Sequence, residues 1–244
     1  MIAYQRTVAP DSLSASDLDR LLSMGWYRMH QNIFTTTHLR NDVELYRVYW
    51  LRYPLAEISE RPSHRRIRKR NRSFHHTIED FTEIQPFQEE LYSLYRASID
   101  FQGALSIEQC LFGDNGVEKN IYQTKCISVY DQNKLIACGY FDLGILSGTS
   151  ILHCFDPAYK SKSLGKYMML LTIDFLRSVS SNFYYPGYLV SGISKMDYKL
   201  FVGKEATQYF DPGSKTWKVF QDDILVPDVL TENERLELIL RFLV

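Results

Sequence analysis

Between residues 126 and 190 the chain sets out strand-like runs and one helix in an order that few folds accept. Residues 126–130, 134–143 and 150–155 are rich in β-branched and aromatic side chains, as strands are. Asp131-Gln132-Asn133 is a hairpin-turn signal between the first two. Apolar residues at helical spacing then run from 164 to 179, and residues 184–190 read as a further strand. Three meandering strands, a helix and a strand describe a mixed α+β domain.

The remainder reads more simply. Residues 14–25 form a short helix, with Ser16 as its cap, Leu18, Leu21 and Leu22 on one face and Gly25 as its stop. Residues 26–36 and 43–58 look like strands, and 61–72 is a loop or helix start after Pro62. An amphipathic helix is expected over 86–102, with Pro86 in its first turn and Phe87, Leu91, Leu94 and Tyr95 on its apolar stripe. Another strand is expected over 217–220, and Thr231-Glu232-Asn233-Glu234 has capping-box form before a last helix. The loop signal Gly113-Asp114-Asn115-Gly116 places a boundary near residues 105–120. The expected organisation is a smaller α+β domain over 1–104 and a second domain over 105–244.

Charge is balanced overall at −1 but not along the chain. Residues 61–72 carry seven Arg and Lys and no acid, against 21 cations and 29 acids elsewhere. Such a cluster favours phosphates through counter-ion release, without reading bases; Arg65, Arg66, Lys69 and Arg70 are the candidate contacts. The four cysteines form no CxxC pair and sit among apolar or uncharged neighbours, so they read as free buried thiols. No metal-ligand spacing links the six histidines and no GxSxG elbow is present. Without an 18-residue apolar run or a signal-like N-terminus, the expectation is a soluble, cytoplasmic protein with no membrane association.

The densest chemistry lies in residues 183–217, where Tyr188, Lys195, Tyr198, Lys199 and Trp217 crowd one short segment. A half-buried sheet with snorkelling lysines accounts for single members of that group; together they suit a polyanionic substrate. Upstream, Phe155-Asp156-Pro157 and Ser163-Leu164-Gly165 stand at a strand-to-helix junction, where unpaired N–H groups and the helix dipole attract anions. The element order is that of a GNAT-like acyltransferase domain, a mixed sheet flanked by helices.

Several segments then fall in the order of a known family. These are Leu21-Leu22 with Gly25-Trp26-Tyr27-Arg28, residues 51–58 with Ser63, Arg65-Arg66 and Lys69-Arg70-Asn71, and Ala137, Gly139 and Asp142. Phe155-Asp156-Pro157, Ser163-Leu164-Gly165 with Tyr167, and Tyr185, Gly187, Tyr188, Lys195, Met196, Tyr198, Lys199 and Trp217 complete the series. The chain resembles the aminoacyl-tRNA–protein transferases, the arginyl and leucyl transferases of the N-degron pathway. The family's N-terminal cysteine cluster is replaced by Thr35-Thr36-Thr37-His38-Leu39-Arg40. The resemblance implies a monomeric enzyme that transfers an amino acid from aminoacyl-tRNA to a protein or peptide α-amine, with no cofactor or metal. It implies Tyr188, Tyr198 and Lys195 as catalytic residues. Ser163, Leu164, Gly165, Lys199, Asp142 and Asp156 would bind substrate. The alternatives are an acyl-CoA-dependent N-acyltransferase of the same fold, which the single glycine of Lys162–Tyr167 disfavours, and a non-catalytic tRNA- or RNA-binding module.

Overall fold

The computed structural model describes residues 5–41, 44–99, 103–113 and 119–226. Strand β1 (Gln5–Val8) precedes helix α1 (Ala15–Ser23). Ser14 caps that helix rather than Ser16, its hydroxyl accepting from the Asp17 N–H at 3.1 Å. Gly25 follows at φ +75°, as a left-handed stop requires. The run expected as one strand over 26–36 is a hairpin, β2 (Tyr27–Met29) and β3 (Asn32–Thr36). His30 turns the chain between them with φ +56°. These two strands and β1 make a small sheet ordered β1-β3-β2.

Strand β4 (His38–Asn41) pairs with the long β5 (Glu44–Pro54). The basic run is helix α2 (Pro62–Asn71), followed by β6 (His75–Asp80). In α3 (Pro86–Ala97) the buried stripe is Gln88, Leu91 and Tyr92, while Phe87 and Leu94 face solvent. The reason is tertiary: Gln88 lies under the sheet, where Tyr140 donates to it at 3.1 Å. A short α4 (Ile107–Phe112) follows, where only a loop was expected.

The meander is β7 (Thr124–Asp131), β8 (Lys134–Leu143) and β9 (Ser147–Phe155), antiparallel throughout. Its first turn has Gln132 at φ +53°. Helix α5 (Leu164–Ser178) then returns the chain to β10 (Phe183–Val190), which pairs with β9 in parallel. Strands β11 (Gln208–Asp211) and β12 (Thr216–Val219) finish a nine-stranded mixed sheet. Its order is β12-β11-β5-β10-β9-β8-β7-β6, with β4 beside β5. Strands β5 and β6, which precede residue 105, pair within the same sheet as the strands that follow it. The final helix expected near 231–243 lies outside the described residues.

Helices cover both faces. Helix α5, apolar almost all round, packs with α2 over Ile127, Val129, Ala137 and Phe141. Helices α3 and α4 cover the opposite alternation, Cys138, Tyr140 and Cys154. The four cysteines are free, and Cys138 and Cys154 are fully buried. Among the described residues no helix is long and apolar enough to cross a membrane.

Candidate active site

Strands β9 and β10 run side by side for only three residue pairs, ending at Tyr185 and Thr149. The next two residues of β10 explain why they part. Pro186 has no N–H to offer a ladder, and Gly187 takes φ +97°, which other residues rarely adopt. Together they form a bulge against β5, between the Tyr184–Tyr53 and Gly187–Leu51 pairs. Beyond it β10 follows β5 alone and leaves β9.

A cavity of about 270 Å³ occupies the opening. Thr149 to His153 of β9 form one wall, and Tyr184, Pro186, Gly187 and Tyr188 of β10 the other. Tyr27, Phe34 and Trp50 add an aromatic cover, with Tyr27 stacked on Trp50 at 4.0 Å and Tyr188 edge-on to Trp50 at 5.0 Å. Arg28 of β2, Met169 of α5 and Met196, Tyr198 and Lys199, from the 3-10 segment Ser194–Val202, complete it.

Lys199 brings a titratable charge to this cavity. Its Nζ donates to the Tyr188 carbonyl at 2.8 Å and lies 5.6 Å from the Tyr188 ring centroid and 5.4 Å from that of Tyr198. Withdrawal from water lowers its pKa to about 8. Burial acts the other way on the phenols: it raises Tyr188, and pushes Tyr198 up to about 12. Tyr198 as a residue remains 44% exposed. At neutral pH both phenols remain protonated and can donate. Burial, with the Lys199 charge as a second cause, lowers His153 to about 4. The His153 Nε2 and the Thr149 hydroxyl are buried with no hydrogen-bond partner.

The fold therefore gathers Tyr188, Tyr198 and Lys199 and leaves the other expected residues outside the cavity lining. Lys195 is exposed. Ser163, in the left-handed conformation at φ +57°, and Gly165 are half-buried at the start of α5, and the Leu164 side chain is in the core. Only its backbone is left to meet a ligand there. Asp142 is fully buried: Arg28 Nη1 donates to it at 2.9 Å and Thr124 at 2.6 Å. Burial raises its pKa, against the Arg28 charge. Asp156 caps the turn after β9, accepting from the Ala158 N–H at 2.9 Å and from Lys134 at 2.7 Å, which lowers its pKa. Both carboxylates are engaged within the fold, Asp142 through Oδ1 alone, its Oδ2 being buried without a hydrogen-bond partner.

On α2, His64, Ile67 and Asn71 face the core, and Arg65, Arg66, Lys69 and Arg70 face solvent. Arg68 is already paired with Asp174, at 2.9 Å through Nη2. The helix is fixed beside the site by hydrogen bonds from Asn71 to the Lys162 carbonyl at 3.0 Å and between His64 and the Phe201 carbonyl at 3.0 Å.

Sequence reasoning missed Thr149, Ser150, His153, Met169 and Trp50 as cavity residues. Pro186-Gly187 inside a strand was the one legible sign of the opening; His153 in Ile-Leu-His-Cys-Phe gave none. Among the described residues no cluster of three or more His, Cys, Asp or Glu could hold a metal.

With this geometry in view, residues 68–206, more than half of the chain, match the family profile "Arginine-tRNA-protein transferase, C terminus". The aspartate/glutamate leucyltransferase of Paracoccus denitrificans is 29% identical over 203 residues, 76% of this chain and 69% of its own length. That of Shewanella sp. strain MR-4 is 27% identical over 198 residues, covering 79% and 78%. The one from Brucella suis is 28% identical over 224 residues, covering 85% and 84%.

Proposed function

Since this chain belongs to the aminoacyl-tRNA–protein transferase family, we propose that it transfers a bulky apolar amino acid, leucine first among them, from its tRNA ester to the α-amine of a protein acceptor. The β9–β10 opening carries this reading. The meander, the following helix and the parallel, splayed strand form a GNAT-like core, and the opening is where two substrates can meet. Met169, Ile151, Leu152 and Met196 line it with apolar surface for the transferred side chain. The relatives' names supply leucine as the donor and aspartate or glutamate as the acceptor.

The tRNA ester is already activated, so no covalent enzyme intermediate is required. The neutral acceptor amine attacks the ester carbonyl, forming the amide C–N bond. The C–O bond to the ribose breaks, and the leaving oxygen takes a proton while the amine loses one. Positioning and oxyanion stabilisation supply the acceleration. Tyr188 and Tyr198 are donors for the developing negative charge, and Lys199, with a pKa near the working pH, relays the amine proton. The solvent face of α2 tracks tRNA phosphates. Both substrates are cytoplasmic, and we place the enzyme there.

The test is transfer of labelled amino acids from charged total tRNA to peptides with different N-terminal residues. Leucine incorporation that depends on an acidic N-terminus and vanishes with RNase is expected. Incorporation that survives RNase, or none with any amino acid, would reject the reading.

A further inference from the structure

Two polar groups of the cavity, the His153 Nε2 and the Thr149 hydroxyl, have no partner in the fold and no part in the chemistry above. The His153 Nε2 is buried without a partner, a state that native proteins seldom leave unfilled. The position is shaped around this ring. His153 lies opposite Gly139 in register, and a Cβ at Gly139 would meet the imidazole Cδ2 at 2.4 Å. Glycine there is what makes room for it. Burial, and after it the nearby Lys199 charge, opposes imidazolium formation and holds the His153 pKa at about 4. A neutral imidazole therefore lines the β9–β10 cavity.

We propose that His153 Nε2 accepts a hydrogen bond from the attacking α-amine of the acceptor and directs that nitrogen's lone pair at the ester. The inference rests on the transferase reading above. A place shared with the Lys199 charge repels an ammonium group. The attacking amine must be neutral, so it gains from the same surroundings. Burial that lowers the Lys199 ammonium also favours the unprotonated form of an acceptor amine held beside it. Glu or Asp in place of His153 would instead hold the acceptor as an unreactive ammonium.

The experiment measures steady-state transfer from leucyl-tRNA to an acceptor peptide of varied concentration, with binding of leucyl-tRNA followed separately. His153→Leu removes the acceptor nitrogen, and His153→Gln presents an amide oxygen at similar reach. His153→Leu should raise the peptide KM by about tenfold, the scale of one hydrogen bond, and leave leucyl-tRNA affinity within about twofold. His153→Gln should recover most of that loss. If His153→Leu does not fold, His153→Ala removes the ring without added bulk and carries the same expectation. An unchanged peptide kcat/KM overturns the role of His153, and so does a loss confined to tRNA affinity. Absence of transfer by the wild-type enzyme overturns the transferase reading along with it; wild-type transfer beside an unaffected His153→Leu overturns His153 alone.

Discussion

A partly buried lysine is the residue on which the proposed site turns. Lys199 ordinarily titrates at 10.5 and here near 8, because burial disfavours its charge. The unfolded chain thus binds more protons than the folded one between pH 8 and 10.5, and Lys199 makes stability rise with pH across that window. Below pH 8 the ammonium opposes folding. Lys199→Met should therefore raise Tm at pH 7, by roughly 2–4 °C per kcal/mol recovered. The advantage should shrink as pH climbs above 8, while transfer is lost. Thermal melts at pH 7 and pH 10 check it, and a variant less stable at pH 7 contradicts it. Tyr198 offers a kinetic counterpart. Removing one oxyanion donor typically costs ~3–4 kcal/mol in the transition state. Tyr198→Phe should lower kcat by that factor with tRNA affinity nearly intact, and single-turnover transfer beside filter binding separates the two. Wild-type kcat in the variant would remove Tyr198 from the chemistry.

At the scale of elements, α2 shows how a helix divides its labour. Three positions, His64, Ile67 and Asn71, hold it to the body, and their spacing leaves four cations on the solvent face. Arg68 sits between the two sets and is committed to Asp174. Replacing Arg65, Arg66, Lys69 and Arg70 by Ala should weaken tRNA binding and flatten its salt dependence, each duplex phosphate contact contributing a log–log slope of ~0.9. Arg68→Ala serves as the contrast. It should lower stability by no more than about 1 kcal/mol, as part-exposed pairs do, and leave the salt slope in place. Titrations at several salt concentrations distinguish the two variants; equal slopes in all three proteins would make the cluster merely solubilising. The bulge in β10 is the other decisive element. Pro186 interrupts the ladder and Gly187 bends it, so two residues convert a continuous sheet into one with an opening.

For the whole molecule, the position of β5 matters most. It lies between β10 and β11, although it precedes both by more than 120 residues. Both of its alternations are covered: Val48 and Trp50 pack with α1 and the small sheet, while Tyr53 belongs to the core under α5. A fragment spanning 105–244 lacks this strand and leaves β10 and β11 with open apolar edges. It should be insoluble or bind dyes specific for exposed apolar surface, whereas the full chain should not. A fragment that melts cooperatively on its own would instead support separate folding of the two segments.

Periodicity and turn chemistry determined much of this protein, because both act over a few residues. The Asp131-Gln132-Asn133 turn, the meander, α5 and the strand after it follow from spacing alone. The density of tyrosine and lysine around 188–199 marked three members of the cavity, and seven cations without an acid marked α2. Tertiary structure decided the rest. Burial of α3 through Gln88 and Tyr92, rather than Phe87 and Leu94, depended on where Tyr140 of a distant strand lay. Asp142 had the sequence context of a ligand residue, yet Arg28, 114 positions away, engages it inside the fold. His153 carried no local signal, since its environment is made by Gly139 on one side and Lys199 on another. A sequence lays down which residues can turn, alternate or carry charge; which of them are withdrawn from water is settled when remote strands meet, and withdrawal is what tunes the groups of this site.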